Sequence, residues 1–235
     1  MERVIERELL DDLPADDPRA IHARGDLRRV NAWMGHAGIM AGILSSAFEH
    51  RPPRSIVELG AGDGTFLLRL ARRLGPAWKP SRVVLVDQQR LIDARTRTGF
   101  EAIGWNVRAV PIDVFDWMEA EGESTDLILA NLFLHHFTDA DLRRLFARVA
   151  QQTVFFVACE PRRSPLALGA TSLLWIIGCN DLTRHDARLS VRAGFSDSEL
   201  SGLWPADCGW QLQEREAGWV THCFAAGAGA GQTGS

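Results

Sequence analysis

Three glycines spaced two apart, in Glu58-x-Gly60-x-Gly62-x-Gly64, follow an apolar run at 55 to 59 and open a helical pattern at 64 to 74. Glycine lets backbone approach a ligand with no Cβ in the way. The start of the following helix presents unpaired N–H groups to that ligand. The spacing departs from a dinucleotide fingerprint, because position 65 is Thr and the third glycine stands at 64. No Gly-Lys-Ser/Thr ending follows, which excludes a phosphate loop. Asp87 ends a second apolar run and is placed to accept hydrogen bonds from ribose hydroxyls. Asp113 ends a third, in PIDVFDW.

Proton transfer near neutral pH points to histidine. Of the seven histidines, three fall in segments expected at a ligand cleft. His136 follows the fourth strand, His185 precedes Asp186 in TRHD, and His36 lies in the helical N-terminal segment. They rank as candidate bases in that order. For each, the alternative is packing or hydrogen bonding within the fold.

The elements that must hold these residues alternate. Strands are expected at 55 to 59, 82 to 87, 107 to 113, 126 to 131 and 153 to 160, with helices at 64 to 74, 89 to 103 and 139 to 150. Apolar strands separated by helices predict a parallel sheet covered on both faces. A Ser-x-x-Glu capping box at 196 to 200 predicts a short helix, and 210 to 225 a closing hairpin around Ala217-Gly218. Residues 1 to 50 read as a helical lid, 51 to 225 as the ligand-binding core, and 226 to 235 as a tail too poor in bulky side chains to pack.

The glycine string resembles motif I of class I S-adenosylmethionine-dependent methyltransferases. The resemblance implies an α/β, Rossmann-like fold with a mostly parallel seven-stranded sheet, helices on both faces and an N-terminal helical lid. It implies S-adenosyl-L-methionine as cofactor, held by Glu58, Gly60, Ala61, Gly62, Asp63, Gly64, Thr65, Asp87, Gln88, Asp113, Val114 and Asn131. Within that set Asp113 would receive the adenine amino group and Val114 would lie against the ring. ANLFLHHF at 130 to 137 is similar to the motif that follows the fourth strand in small-molecule members.

The acceptor is narrowed by what is missing. There is no Asn/Asp-Pro-Pro-Tyr turn of the kind found in base and glutamine methylating enzymes, and no acidic cluster of the kind that holds a catechol-binding metal. A metal-free small-molecule enzyme is therefore expected. Segments 28 to 40 and 178 to 195, with the apolar stretch 165 to 179, resemble methyltransferases found beside bacterial type III polyketide synthases. That likeness implies a phenolic, quinol or polyketide-type acceptor, with Trp33, Met34, Trp175 and Ile176 as pocket walls. Carbon rather than oxygen methylation, a non-catalytic cofactor-binding module and an RNA methyltransferase stay open at this point.

A net charge of −4 offers no basic footprint for nucleic acid. The stretch 165 to 179 falls short of the ~20 residues a membrane span needs. No signal peptide is visible, and four scattered cysteines read as reduced thiols, so a cytoplasmic protein without structural zinc is expected.

Overall fold

Ile56, Val57, Glu58 and Leu59 are all buried, so β1 (Ser55–Leu59) lies inside a sheet covered on both faces. The computed structural model describes residues 1–14, 16–120, 124–206 and 209–229. Around β1 run β2 (Arg82–Asp87), β3 (Val107–Pro111), β4 (Thr125–Asn131) and β5 (Thr153–Pro161), all parallel. The hairpin β6 (Trp210–Ala217) and β7 (Thr221–Ala228) is antiparallel, giving the order β3-β2-β1-β4-β5-β7-β6. The strand order reverses between β1 and β4. A crevice opens there at the carboxyl ends of the strands, and such crevices are where open α/β sheets bind ligands.

Helices cover both faces for legible reasons. α3 (Thr65–Leu74) buries Phe66, Leu67, Leu70 and Ala71 and leaves Arg72 and Arg73 in solvent. α6 (Asp139–Gln152) buries Leu142, Leu145, Phe146 and Val149 at helical spacing, and the Thr138 hydroxyl caps its start by accepting from Asp141 N. α5 (Val114–Ala120) is capped by Asp113, whose Oδ1 accepts from Phe115 N at 2.8 Å. That cap ends β3 at Pro111, short of the expected 113. α4 (Ala94–Glu101) starts later than the expected 89, at an Asp93 cap that accepts from Thr96 N. Residues 88 to 92 are left as a loop above the crevice.

The N-terminal fifty residues divide in two. α1 (Pro18–Met34) lies over the crevice, and Gly35, at φ 69°, turns the chain into α2 (His36–Ala47). Ala37, Met40 and Leu44 of α2 pack with Ile56, Leu67 and Val157 in the sheet's core. Of the segment expected to be a lid, only α1 lines the crevice, while α2 is one of the layers covering the sheet.

Three further expectations are corrected. The stretch 165 to 179 is not one helix: α7 (Pro165–Thr171) gives way to a 3-10 turn at Leu174–Ile177, and Gly178 leaves it at φ 78°. The capping box forms by half. Ser196 N donates to Glu199 Oε2 at 2.9 Å, but the Ser196 hydroxyl accepts from Arg163, and only a 3-10 turn follows at Ser201–Leu203. β7 takes Ala226 to Ala228, which the composition assigned to a tail, because their backbones continue the ladders to β5 and β6. Residues 230 to 235 and Cys208 lie outside the described residues; Cys159, Cys179 and Cys223 are free thiols. Among the described residues no helix is long and apolar enough to cross a membrane.

Candidate active site

The turn after β1 is built by glycines for two different reasons. At Gly60, φ 65°, a Cβ would meet Phe133 Cδ2 at 2.1 Å, so this glycine lets the loop after β4 pass. At Gly62, φ 53°, a Cβ would meet nothing within 4 Å and would project into open space. The amide of Gly62 donates to Asp87 Oδ2 at 2.8 Å, and Gln89 N donates to Oδ1 at 2.9 Å. Each oxygen keeps a lone pair for a ligand hydroxyl. Burial raises the Asp87 pKa above the ordinary carboxylate value.

Beside them lies a cavity of about 500 Å³. Every residue expected at the cofactor lines it except Gly64 and Asp113. Gly64 instead opens α3, with Leu85 and Thr96 3.2 and 3.3 Å from where a Cβ would stand. Asp113 is occupied with its helix cap and with Gln88, whose Nε2 donates to Oδ2 at 2.7 Å. Glu58 is fully buried, and its Oε2 has no hydrogen-bond partner. Burial, then the charges of Asp63 and Asp87, push its pKa well above the usual carboxylate range. An orphaned acidic oxygen and an open glycine cradle fit a ligand carrying positive charge and vicinal hydroxyls.

The far half of the cavity is walled by Leu27, Val30 and Met34 of α1, Ala167 and Ala170 of α7, and Ala187 and Val191 of α8 (Asp181–Ala193). Trp33 also lines it, but Trp175 and Ile176 are 62% and 63% exposed and point elsewhere, contrary to the pocket role expected of them. α1 and α8 are clamped together by the buried Asp26, whose Oδ2 accepts from Asn180 N at 2.8 Å and the Thr183 hydroxyl at 2.9 Å.

The structure separates the three candidate histidines. His36 is completely buried and does not line the cavity. Its Nδ1 donates to Asn131 Oδ1 at 2.7 Å and its Nε2 accepts from the Thr221 hydroxyl at 2.9 Å. Burial lowers its pKa to about 4, which keeps that ring neutral. Asn131 in turn donates from Nδ2 to Asn31 of α1 at 3.0 Å, linking cavity wall to lid. His185 is half exposed on the outer face of α8, also away from the cavity. The adjacent Asp186 is engaged by the amides of Leu9 and Leu10, both at 3.0 Å. His136 alone of the three lines the cavity. Burial and the neighbouring His135 lower its pKa to about 4.

Residues that sequence reasoning missed surround His136. Glu160, at the end of β5, accepts from Phe133 N and Leu134 N through Oε1 and from His135 Nδ1 at 2.7 Å through Oε2. Burial opposes charge on both, but their hydrogen bond holds Glu160 low and, with Glu8, raises His135 to about 9. Glu8 Oε1 stands 3.5 Å from His135 Nε2 and accepts from the Ser190 hydroxyl. A signal for Glu160 existed: like Asp87, it is an acid closing an apolar strand. Nothing local marked Glu8.

A family model for a methyltransferase domain matches residues 56–153, from β1 to the start of β5. Residues 56–153 are a methyltransferase domain. The match ends before the hairpin, yet the seven strands follow the class I, S-adenosylmethionine-dependent methyltransferase fold throughout. Solved structures share that fold. One is an O-methyltransferase family protein from Burkholderia thailandensis: 19% identity, TM-score 0.61, 93% of this chain and 62% of that one. Another is the plantazolicin methyltransferase, in complex with a triazolic desmethylPZN analog and SAH: 13% identity, TM-score 0.64, 90% of this chain and 92% of that one. A third is the magnesium protoporphyrin IX methyltransferase of Synechocystis PCC 6803 with bound SAH: 10% identity, TM-score 0.54, 91% of this chain and 88% of that one. No curated protein sequence matches the chain. The chain spans under two thirds of the Burkholderia protein's length.

Proposed function

We propose that this methyltransferase transfers a methyl group from S-adenosylmethionine to an oxygen of a small, largely apolar acceptor of the phenolic, quinol or polyketide type. One observation carries the reading: the cavity is continuous from the glycine turn to the apolar wall of α1, α7 and α8. Donor and acceptor can therefore meet inside it. Neighbouring structures holding SAH or an O-methyltransferase assignment support the donor and the oxygen acceptor.

When bound, S-adenosylmethionine supplies a methyl group on a sulfonium, ready for in-line displacement. Asp87 holds a ribose through its remaining lone pairs, and Glu58 offers its unpartnered oxygen to the donor's positive charge. Asn131, Leu132 and Phe133 shape the passage between the two halves. The apolar walls orient the acceptor at near-contact distance, and positioning of this kind supplies much of the rate in such displacements. His136 takes the proton from the acceptor hydroxyl. The net charge of −4 favours a small acceptor over nucleic acid, and three free thiols favour a reducing, cytoplasmic setting.

Two measurements test this. Calorimetry with S-adenosylmethionine should show binding that Asp87→Ala weakens by ~1–3 kcal/mol, the cost of leaving buried hydroxyls unpaired. A labelled-methyl assay against simple phenols and against cell extract, read by mass spectrometry, should place the label on oxygen. Label on carbon, or none on any acceptor, overturns the reading.

A further inference from the structure

Glu8, His135 and His136 converge on one wall of the cavity, with one ligand atom from each lying within 4.8 Å of the others. They arrive from distant parts of the chain. The two histidines follow β4 in a 3-10 turn at Leu134–His136, while Glu8 sits on the N-terminal segment. That segment is tied down independently: Arg3 Nε donates to Ala193 O at 2.8 Å, and the amides of Leu9 and Leu10 donate to Asp186. Glu8 is therefore placed by the fold and not by a loose terminus.

We propose that Glu8, His135 and His136 form a site for one divalent transition-metal cation such as Zn²⁺, with an open coordination position facing the cavity. Two imidazoles and a carboxylate are a donor set that suits zinc, at bond lengths of about 2.0–2.2 Å. Two such ligands around a tetrahedral ion stand about 3.4 Å apart by that geometry. His135 Nε2 and Glu8 Oε1 are 3.5 Å apart, long for a hydrogen bond and close to a shared-ligand separation.

The surrounding shell has the form that metal-binding histidines use. His135 donates its Nδ1 proton to Glu160 at 2.7 Å, and this fixes the tautomer that presents Nε2 to the cavity side. Glu160 is itself held by the amides of Phe133 and Leu134, and Glu8 by the Ser190 hydroxyl. Charge favours a cation as well. Glu8 and Glu160 are two buried carboxylates facing one imidazole. A proton on His135 leaves the trio at −1, whereas a divalent ion on a neutral His135 brings it to zero. A coordinated imidazole takes no proton at its bound nitrogen, so His136 acts as the base only in the metal-free protein; filling the open position with an acceptor oxygen rests on the transfer reading above, and the cation site itself does not.

The test is metal binding by the full chain after dialysis against a chelator. Titration with Zn²⁺ should load about one equivalent per chain, and Co²⁺ should give the visible absorption of a four-coordinate nitrogen–oxygen site. Glu8→Gln, whose side chain lies outside the sheet's core, should weaken Zn²⁺ binding at least ~10-fold in a protein that still unfolds cooperatively, and Glu160→Gln should weaken it through His135 by ~10–100-fold. Binding of well under one equivalent, or equal Zn²⁺ affinity in Glu8→Gln and wild type, overturns the site. The donor assay keeps the two readings apart: chelated protein that still binds S-adenosylmethionine but takes up no Zn²⁺ sinks the cation site and leaves the transfer reading standing.

Discussion

Arg28 of the lid helix α1 and Asp63 of the glycine turn form an ion pair, Nε to Oδ2 at 2.5 Å. Asp63 is itself fixed by Thr65, whose amide donates to Oδ1 at 3.0 Å. The backbone of Arg28 is engaged from the other side, where Arg69 Nη2 donates to its carbonyl at 3.5 Å. Helix α1 is thus fastened directly to the turn proposed to hold the donor.

Arg28→Ala should cut that fastening with little loss of fold. A solvent-facing pair contributes ~0–1 kcal/mol to stability, so the melting temperature should barely move. Donor KM should rise several-fold. Unchanged steady-state kinetics would show that α1 stays closed without the pair.

Two glycines of one turn should fail differently. Gly60→Ala drives a Cβ into the Phe133 ring and should lower the melting temperature, because a packed ring cannot retreat without moving the loop after β4. Gly62→Val meets no protein atom, so its cost to the fold is limited to backbone strain at φ 53°. Its side chain occupies the space the donor needs. Calorimetry should find donor binding abolished in a protein that still unfolds cooperatively; intact binding would move the donor off this turn.

His36 and His136 make the fold acid-sensitive, and His135 makes it alkali-sensitive. The first two have folded pKa values lowered to about 4, so the neutral ring is favoured and their contribution is complete above the unfolded value near 6.5. It drains away as pH falls from 6.5 toward 4. His135, raised to about 9, behaves oppositely: its contribution is complete below 6.5 and is lost as pH rises toward 9. Melting temperature should therefore fall on both sides of a near-neutral maximum. In His36→Ala the acid limb should shallow, since the ring that must stay neutral is gone; an unaltered limb would assign it to other groups.

The histidines should also part company in kinetics. A positioned base contributes ~10²–10⁴-fold in rate. His136→Ala should lose that much in kcat while keeping donor affinity. His185→Ala, on the outer face of α8, should turn over within a few-fold of wild type. His36→Ala should act through stability and the placing of Asn131, raising KM more than it lowers kcat. A large kcat defect in His185→Ala would bring that helix face into the reaction.

Local pattern determined much of this protein. Each strand, the turn after β1 and the acid at the end of β2 sit in one contiguous stretch, where neighbouring residues dictate backbone and burial together. That is why 55 to 59 and 82 to 87 emerge with the ends expected of them. The post-β4 segment could be placed for the same reason, but its side chains could not be aimed. Leu132 sits at φ 52° and a 3-10 turn follows, and together they stack His135 and His136 with ring centroids 4.2 Å apart instead of sending them to opposite sides. Only the tertiary structure could turn His36 inward to Asn131 and Thr221, leave His185 outside, and split residues 1 to 50 into a lid and a core layer. Only it could bring Glu8 and Glu160 to His135. Those partners are separated by up to 127 positions, and no helical or strand period relates residues that meet solely because separate elements pack on one sheet.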